Sequence, residues 1–455
     1  MEKRLCLLKN YRINETEKKL ISITWPIFIE SALFMLLGSV DIFMLGRFSD
    51  NAVAAVGVAN QIIGMLNLVF QIITAGTTII CAQYIGAKAK NENIIKLVGT
   101  SLIVNIILGV ILSLIMIIFS KTLLLMMNLD ESLLGYGESY LKIVGGFIFI
   151  QAITMTFTAV IRSFGFTKVC MFVTLGMNIY NIISNYILIY GNFGAPAMGV
   201  AGSAISTTLS KLFGGIFLGY FMFKHTVKGF SLKYFKEFPR TELRNIIKMG
   251  GPAAGESISY NLAKLVGTVI LTYVSIESLT TSSYINNIAS FIYLFSVSIG
   301  QGTSIIVGQL VGKKDYDTAY DLCIKSFKKA FLVSIVIGIT VAFFGKNIMS
   351  IFTDNSVIIS LGMSVLIVNA FLEPGRTFNV VIINCLRAAG DVKFPVYIGI
   401  VSMWLIGVGL AYILSITLGL GIVGMWIALA LDEWVRGIIM YSRWKSRKWL
   451  GKALV

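Results

Sequence analysis

Charged residues are scarce in this chain of 455 residues. They make up 13% of it, while apolar residues make up 56%. An ordinary soluble domain carries about 25% charged residues. The shortage excludes a soluble globular protein and indicates a polytopic membrane protein.

Histidine is nearly absent, and so are the motifs of the common enzymes. The chain has one histidine, His225. It has no paired-histidine zinc motif, no glycine-rich phosphate loop ending in Lys-Ser/Thr, no Ser-His pair suited to catalysis and no nucleotide-binding segment. We therefore expect no enzyme activity, no cofactor and no metal other than a possible Na⁺, and we expect an ion gradient or a partner to supply any driving energy.

Cysteine is sparse as well. The five cysteines lie in the N-terminal tail, within predicted spans or at their inner ends, and they are Cys6, Cys81, Cys170, Cys323 and Cys385. We expect free thiols and no disulfide.

Long apolar runs are what the chain does contain. Because about 20 residues of helix cross a bilayer of about 30 Å, the runs predict an all-α protein with 12 transmembrane helices. The predicted spans cover residues 21–46, 52–86, 94–120, 134–161, 167–191, 198–223, 249–274, 281–311, 328–345, 358–386, 394–416 and 421–441. This divides the chain into an N-terminal tail (1–20), an N-lobe (21–223), an inter-lobe loop (224–248), a C-lobe (249–441) and a C-terminal tail (442–455).

The two halves are copies of one unit. A constant shift of 226 places residues 26–88 on residues 252–314 without a gap, with Pro26 on Pro252 and Glu30 on Glu256. Later matches include Arg162-Ser-Phe-Gly165 with Arg387-Ala-Ala-Gly390, and Gly199-Val-Ala-Gly202 with Gly421-Ile-Val-Gly424. The repeat predicts two related six-helix lobes. The paired prolines predict kinks that serve either as hinges or as static packing features.

The basic residues are sorted along the chain. Most of the 38 lysines and arginines fall in the two tails, in the loop 224–248 and in alternate short loops. This is the pattern of the positive-inside rule, so we expect a cell (inner or plasma) membrane protein with both termini cytoplasmic. The net charge of +16 then indicates contact with anionic membrane lipids and not with nucleic acid. We expect the protein to act as a monomer.

Ionisable residues inside the spans are the candidate functional residues, because each costs about 2.5–3.5 kcal/mol at a helix centre and should face a cavity or the bundle interior. The first span carries Glu30 and Asp41, the seventh Glu256, and the tenth Glu373 with Arg376. Glu373 and Arg376 are three residues apart, so a structural ion pair is an alternative to a coupling role. Lysines also occur in the spans, at Lys211 and Lys264, and Lys264 could extend its ammonium towards the outer surface. Asp432, Glu433 and Arg436 in the last span can form a local ion pair.

The fifth span carries a stripe of carboxamides. Asn178, Asn181 and Asn185 share one helix face by their spacing of three and four. Opposite Asp41 this stripe would make a polar pocket, whereas hydrogen bonding for helix packing is the alternative.

Several motifs together resemble the multidrug and toxic compound extrusion (MATE) family. They are the early Pro26, Asp41-Ile-Phe-Met-Leu-Gly46 followed by Ala54-Ala-Val-Gly57, the ending Ala82-Gln83-Tyr-Ile-Gly86, the loop with Arg162, Gly165 and Lys168, and Pro196-Ala-Met-Gly-Val-Ala-Gly202. The resemblance covers nearly the whole chain. It implies two six-helix lobes around a central cleft and export of small organic, often cationic, compounds in exchange for Na⁺ or H⁺.

The resemblance also implies roles for residues. Asp41 matches the family's first-helix acid, and Glu256 matches the seventh-helix glutamate of the NorM-type branch, to which the chain is nearer. Two positions depart from the family. Asn185 stands where the DinF-type branch has an aspartate, and Arg376 stands at the tenth-helix acid of the NorM-type branch, with Glu373 one turn earlier.

Together these features predict a secondary active exporter that works by alternating access. We predict Asp41, Glu256 and Glu373 as cation-coupling residues, Pro26 and Pro252 as hinges, and Glu30, Asn178, Asn181, Asn185 and Arg376 as polar residues of the cleft. The alternative is a flippase for a lipid-linked oligosaccharide or another amphipathic lipid precursor. The sequence does not name a substrate, because the Phe and Met residues that would line a drug pocket also fill a helix bundle.

Overall fold

The computed structural model describes residues 2–230 and 239–454, with side chains from residue 15 onward. The described residues form helices joined by short turns. The α-helices are α1 Glu2–Gly46, α2 Asp50–Gly86, α3 Asn91–Met126, α4 Leu134–Tyr140, α5 Ile148–Ser163, α6 Thr167–Tyr190, α7 Val200–Phe221, α8 Arg240–Thr272, α9 Ile276–Gly312, α10 Tyr316–Phe343, α11 Gly345–Met349, α12 Ser356–Ala388, α13 Lys393–Ser402 and α14 Gly421–Lys445. The π-helical segments are Leu141–Gly145 after α4, Met222–Thr226 after α7, and Met403–Leu410 and Ile413–Thr417 after α13. The predicted all-α fold class is confirmed.

Eight described helices are long and apolar enough to cross a membrane. A ninth span results if Glu131–Gly145 and Ile148–Ser163, bent by 45°, count as one. The other three predicted spans correspond to α7, α8 and α14, which are 22, 33 and 25 residues long. At 1.5 Å per residue each can cross a bilayer. Charged residues within them, such as Lys211 in α7, Lys264 in α8 and Glu433 in α14, lower their mean hydropathy.

Repeat-related helices end in the same way. After Gly86 and Gly312, the chain leaves α2 and α9 through Lys88 and Lys314, whose φ angles are 51° and 60°. A left-handed residue just beyond a helix stops it and turns the chain. The repeated sequence therefore produces the same turn twice.

The described chain divides into two compact units. The C-unit comprises Met1–Phe28 and Gly255–Val455, and the N-unit comprises Ile29–Ala254. Both divisions fall inside helices, just after Pro26 in α1 and Pro252 in α8. The first helix of each repeat therefore begins in one unit and continues into the other. The lobe boundaries at 223 and 249 stay a prediction.

Glycines allow the first part of α1 to pack closely in the C-unit and the first part of α8 to pack closely in the N-unit. In the N-unit a Cβ on Gly76 of α2 would collide with the carbonyl oxygen of Ile246 in α8. In the C-unit a Cβ on Gly302 of α9 would collide with Oγ1 of Thr24 in α1. Gly76 and Gly302 are repeat-related. The start of α8 therefore packs on α2 at the position equivalent to that at which the start of α1 packs on α9.

Apolar clusters surround the buried polar residues in both units. In the C-unit, Ile23 and Ile27 of α1 pack among buried residues of α9, α10 and α12. A second C-unit cluster joins the opposite ends of α8, α9, α12 and α14. In the N-unit, Leu45 of α1 packs with Ala55 and Phe70 of α2. The four described cysteines, Cys81, Cys170, Cys323 and Cys385, are free and buried.

The segment after α14 folds back onto the C-unit. Trp449 stacks on Trp444 with ring centroids 4.4 Å apart, and both side chains are buried. Asp391, buried in the turn before α13, accepts hydrogen bonds from Arg443 Nε at 2.9 Å and Lys452 Nζ at 2.6 Å. Much of the predicted tail 442–455 is therefore packed against the unit.

Candidate functional site

Asp41 of α1 is joined to the asparagines of α6. Asn185 Nδ2 donates to Asp41 Oδ1 at 2.6 Å and lies 3.0 Å from Asn181 Oδ1. Asn181 Nδ2 in turn donates to Thr207 Oγ1 of α7 at 3.3 Å. The structure thus places Asp41 at the end of a chain of amides, opposite the stripe that the sequence spacing predicts.

The amides keep free acceptor atoms. Asn178 Nδ2 donates to the carbonyl oxygen of Leu33 at 3.1 Å. Within the described chain, Oδ1 of Asn178 and Oδ1 of Asn185 are buried without a hydrogen-bond donor. Each can accept a hydrogen bond from water or ligate a cation, because a carboxamide oxygen carries two lone pairs.

Asp41 has a cation nearby without a direct ion pair. Lys211 of α7 acts electrostatically on the Asp41 carboxylate. No described lysine or arginine lies within ion-pair distance of Asp41, whereas Glu30 and Glu256 each have an arginine at that distance. Asp41 is thus held by an amide and influenced by an ammonium beyond ion-pair distance, which leaves its carboxylate available to a proton or a metal cation.

Glu30 lies deeper and is paired. It is 1% exposed, and its Oε2 lies 2.8 Å from Nη2 of Arg162 at the end of α5. Arg162 precedes Gly165, whose φ of 89° turns the chain into α6. This local structure positions the guanidinium beneath α1, where it neutralises Glu30.

The C-unit repeats this pair. Glu256 Oε2 lies 2.5 Å from Nη2 of Arg387, which precedes Gly390 with φ 91°. Gly399 of α13 approaches the same carboxylate, because a Cβ there would stand 3.1 Å from Glu256 Oε1. In the sequence both arginines stand out only as parts of a repeated loop. The signal that could have paired them is the register, which places Glu30 on Glu256 and also matches the two arginine loops.

Glu373 belongs to a network of ion pairs in the C-unit. Arg376 Nη1 lies 2.7 Å from Glu373 Oε1, and Arg376 Nε lies 3.6 Å from Glu433 Oε1. Arg436 Nη2 lies 2.7 Å from Asp432 and 3.2 Å from Glu433. The structure therefore shows the ion pairs that spacing allowed, Glu373 with Arg376 and Asp432 with Arg436, and links the two through Glu433.

The network borders a cavity of about 90 Å³ in the C-unit. Its walls come from α8, α9, α12, the π-helical segment Met403–Leu410 and α14. Polar and aromatic residues of the lining include Tyr260, Lys264, Asn286, Asn369, Arg376, Trp426, Asp432, Glu433 and Arg436. The sequence alone does not bring these residues together, because they come from distant helices.

The two prolines lie where the units divide. Pro26 and Pro252 are inside α1 and α8, and each helix continues through its proline. Residues up to Phe28 belong to the C-unit, and residues 240–254 belong to the N-unit. The structure thus places both predicted hinges at the passage of a helix from one unit to the other.

The family model named MatE matches this chain twice, over residues 26–187 and 252–413. The two matches begin at Pro26 and Pro252, the positions where the sequence repeat begins.

Curated relatives match over nearly the full length. The uncharacterized transporter YisQ of Bacillus subtilis is 43% identical over 435 residues, which is 96% of this chain and 95% of YisQ. The probable multidrug resistance protein NorM of Thermotoga maritima is 27% identical over 461 residues, which is 99% of this chain and 98% of that protein.

Solved structures share the fold. A crystal structure of a MATE protein in the bent conformation superposes with a TM-score of 0.87 at 19% identity, covering 95% of both chains. An outward-facing MATE transporter has a TM-score of 0.86 at 20% identity and covers 94% of this chain and 95% of that one. The family model and the full-length relatives show that this chain belongs to the MatE family of multidrug and toxic compound extrusion transporters.

Proposed function

We propose that this protein exports small organic compounds across the cell membrane in exchange for Na⁺ or H⁺, by alternating access. Membership of the MatE family supports transport as the activity. The observation that carries the exchange is the state of Asp41, an acid within a membrane helix that hydrogen bonds to Asn185 and has no ion-pair partner in the described chain. Such acids in transporters serve ion pathways.

Asp41 is the coupling residue in this proposal. Its carboxylate can take up a proton, or it can hold Na⁺ together with the free Oδ1 atoms of Asn178 and Asn185. Either event neutralises the carboxylate and weakens the bond that it accepts from Asn185, because a charged acceptor makes the stronger hydrogen bond. Lys211 favours the charged carboxylate and therefore limits how tightly a cation is held.

Glu256 and Glu373 are secondary in this proposal. Arg387 neutralises the first and Arg376 the second. A carboxylate in direct contact with a guanidinium attracts a further cation less strongly than one held by an amide. We assign Glu30 a structural role for the same reason, because Arg162 neutralises it.

Pro26 and Pro252 act as hinges in this proposal. A proline leaves a helix without one backbone hydrogen bond and permits bending there. Each proline lies just before the point where its helix passes between units. Bending at these points would let the repeats move as alternating access requires.

We further propose that both termini are cytoplasmic, that the protein acts as a monomer, and that anionic membrane lipids contact its basic inner loops without any role for nucleic acid. The sorting of lysines and arginines along the sequence supports the orientation.

Transport by purified protein in liposomes tests the exchange. Liposomes are loaded with a fluorescent organic cation, and efflux is followed under an imposed Na⁺ or H⁺ gradient. Wild type should export the dye under one gradient, which identifies the ion, and Asp41→Asn should reduce the gradient-driven rate by about 100-fold, comparable with the loss of an acid–base group. Asp50→Asn, at the exposed start of α2, is the matched control and should retain wild-type export. Equal export by Asp41→Asn and wild type would contradict the proposal.

A further inference from the structure

The two units place opposite charges at equivalent helices. In the N-unit the acid Asp41 is on α1 and Lys211 is on α7. The repeat register of 226 puts Gly267 at the position of Asp41, and the later register, which superposes Gly199 on Gly421, puts Glu433 at the position of Lys211. In the C-unit the first helix of the repeat carries Lys264 besides the paired Glu256, and the last helix carries Glu433. The positions of the lysine and of the acid that faces it along the repeat are therefore exchanged between the two units.

The acids that border the C-unit cavity already have hydrogen-bond and ion-pair partners. Asp432 accepts a hydrogen bond from Ser402 Oγ at 2.5 Å and pairs with Arg436 at 2.7 Å. Glu433 accepts from Asn379 Nδ2 at 2.9 Å and pairs with Arg436 and Arg376. An organic cation would have to displace these partners to reach either carboxylate.

Lys264 differs from every other charged residue of the lining. No described carboxylate lies within ion-pair distance of its ammonium, whereas Arg376, Asp432, Glu433 and Arg436 all have partners. Its register equivalent in the N-terminal repeat is Gly38, so the lysine is specific to the C-unit. The side chain of Lys264 is exposed and lines the cavity, so an anionic group that enters the cavity can reach the ammonium without displacing another partner.

The rest of the lining suits an amphipathic ligand. Tyr260 and Trp426 supply aromatic surface, Met403 and Leu429 supply apolar surface, and Thr268 and Asn286 supply polar atoms. Ligand sites commonly combine an apolar lining with a few placed polar groups. The aromatic surface would hold a ring while the ammonium of Lys264 holds the ligand's charged group.

We propose that the C-unit cavity binds the carboxylate group of aromatic organic compounds, with Lys264 as the residue that recognises it. Export of compounds that carry a carboxylate, in addition to cations, rests on the proposed function. Binding of such compounds depends only on the cavity.

Calorimetric titration of the full-length protein in detergent tests the binding site without any ion gradient. The probes are benzoate and its neutral analogue benzamide, whose single ring suits the small cavity. Wild type should prefer the carboxylate by about tenfold, the worth of one partly shielded charge-assisted contact. Lys264→Met should abolish the preference while leaving benzamide affinity unchanged, and Lys264→Arg should restore it.

The control variant is Lys142→Met, which removes a lysine that pairs with Glu138 in the N-unit. It should keep the wild-type preference. The proposal is overturned if wild type shows no preference for the carboxylate, or if Lys264→Met retains it. Wild type could fail to export under either gradient and still prefer the carboxylate in a way that depends on Lys264. That result would refute the proposed function and support the binding site.

Discussion

At the scale of single residues, the acids of the described membrane helices have two kinds of surroundings. Glu30, Glu256 and Glu373 each contact an arginine, while Asp41 contacts an amide. The first kind fixes charge and structure. The second leaves a carboxylate that can change its charge state during a transport cycle.

Part of this site could be predicted from the sequence. The spacing of Asn178, Asn181 and Asn185 placed them on one face, and an apolar span made that face stand out, so an amide contact with Asp41, which Asn185 makes, was foreseeable. The partner of Glu30 was not, because Arg162 lies at a helix end, where basic residues also mark membrane orientation. Lys264 could equally have reached the surface, and only the folded chain places it on a cavity.

Removing one member of the buried pair in the N-unit should destabilise the protein. Glu30→Gln leaves the guanidinium of Arg162 without its counter-charge, at a cost of about 3 kcal/mol. Thermal unfolding in detergent should show this as a lowered Tm, and the double variant Glu30→Gln with Arg162→Gln should recover part of the loss.

The repeat supplies a matched comparison. Glu256→Gln breaks the equivalent pair, but the side chains of Glu256 and Arg387 are 13% and 23% exposed, against 2% and 20% for Glu30 and Arg162. The C-unit pair is more open at its glutamate end, so water can reach the guanidinium of Arg387 once the carboxylate is lost, and a smaller loss of Tm is expected. A larger loss for Glu256→Gln than for Glu30→Gln would contradict this account of the two pairs.

Glu242, before the predicted membrane span of α8, should make stability depend on pH. Burial raises the pKa of its carboxyl above the ordinary value of 4.5, although its hydrogen bond from Tyr84 and the charge of Lys96 oppose the shift. The folded protein therefore binds this proton more tightly than the unfolded chain does. Stability is greatest below pH 4.5 for this group and falls as pH rises through the raised pKa.

The measurement compares the unfolding free energy of wild type and Glu242→Gln between pH 4 and pH 7. Glutamine keeps an acceptor for Tyr84, whose hydroxyl lies 3.2 Å from Glu242 Oε1. As pH rises, the unfolding free energy of wild type should fall relative to that of Glu242→Gln. A difference that is constant with pH would rule out Glu242 as the source.

At the scale of helices, the lengths of the apolar runs predicted where most of the helices lie. They did not reveal which segments form π-helical hydrogen bonds. The long runs of α2, α3 and α9 read directly as spans. The π-helical segment Met403–Leu410 carries the same apolar residues as an ordinary helix, so hydropathy gives no sign of it. It matters for the site, because Met403 and Gly407 line the C-unit cavity.

Two glycines of α2 give a test of the close packing between α2 and the start of α8. A Cβ at Gly76 would meet the backbone of Ile246, whereas nothing lies within 4 Å of a Cβ at Gly64. Gly76→Ala should therefore lower the Tm, since the backbone must move. Gly64→Ala should leave it unchanged or raise it, because alanine favours the helix over glycine by up to about 1 kcal/mol. If both variants behave alike, the close contact does not govern stability.

At the scale of the whole molecule, the proposed orientation follows from charge sorting. Single cysteines at Ser49, between α1 and α2, and at Lys90, between α2 and α3, would lie on opposite sides of the membrane. With cytoplasmic termini, a membrane-impermeant maleimide should label Ser49→Cys in intact cells and should label Lys90→Cys only after permeabilisation. Both variants carry Cys6→Ser, and background labelling is then expected to be low, because Cys81, Cys170, Cys323 and Cys385 are buried. The reverse pattern would invert the topology.

The helix halves exchanged between the units bear on how the protein is made. A ribosome releases residues 1–28 first, yet their place is in the C-unit, whose remaining residues begin at 255. The N-unit in turn is incomplete until residues 240–254 have been synthesised. Contacts between residues so distant in sequence form late, because the entropy cost of closing a long loop comes before the contacts can stabilise it. The N-unit can therefore complete its packing once residue 254 has been made, whereas residues 1–28 reach their final packing only after the second repeat has entered the bilayer.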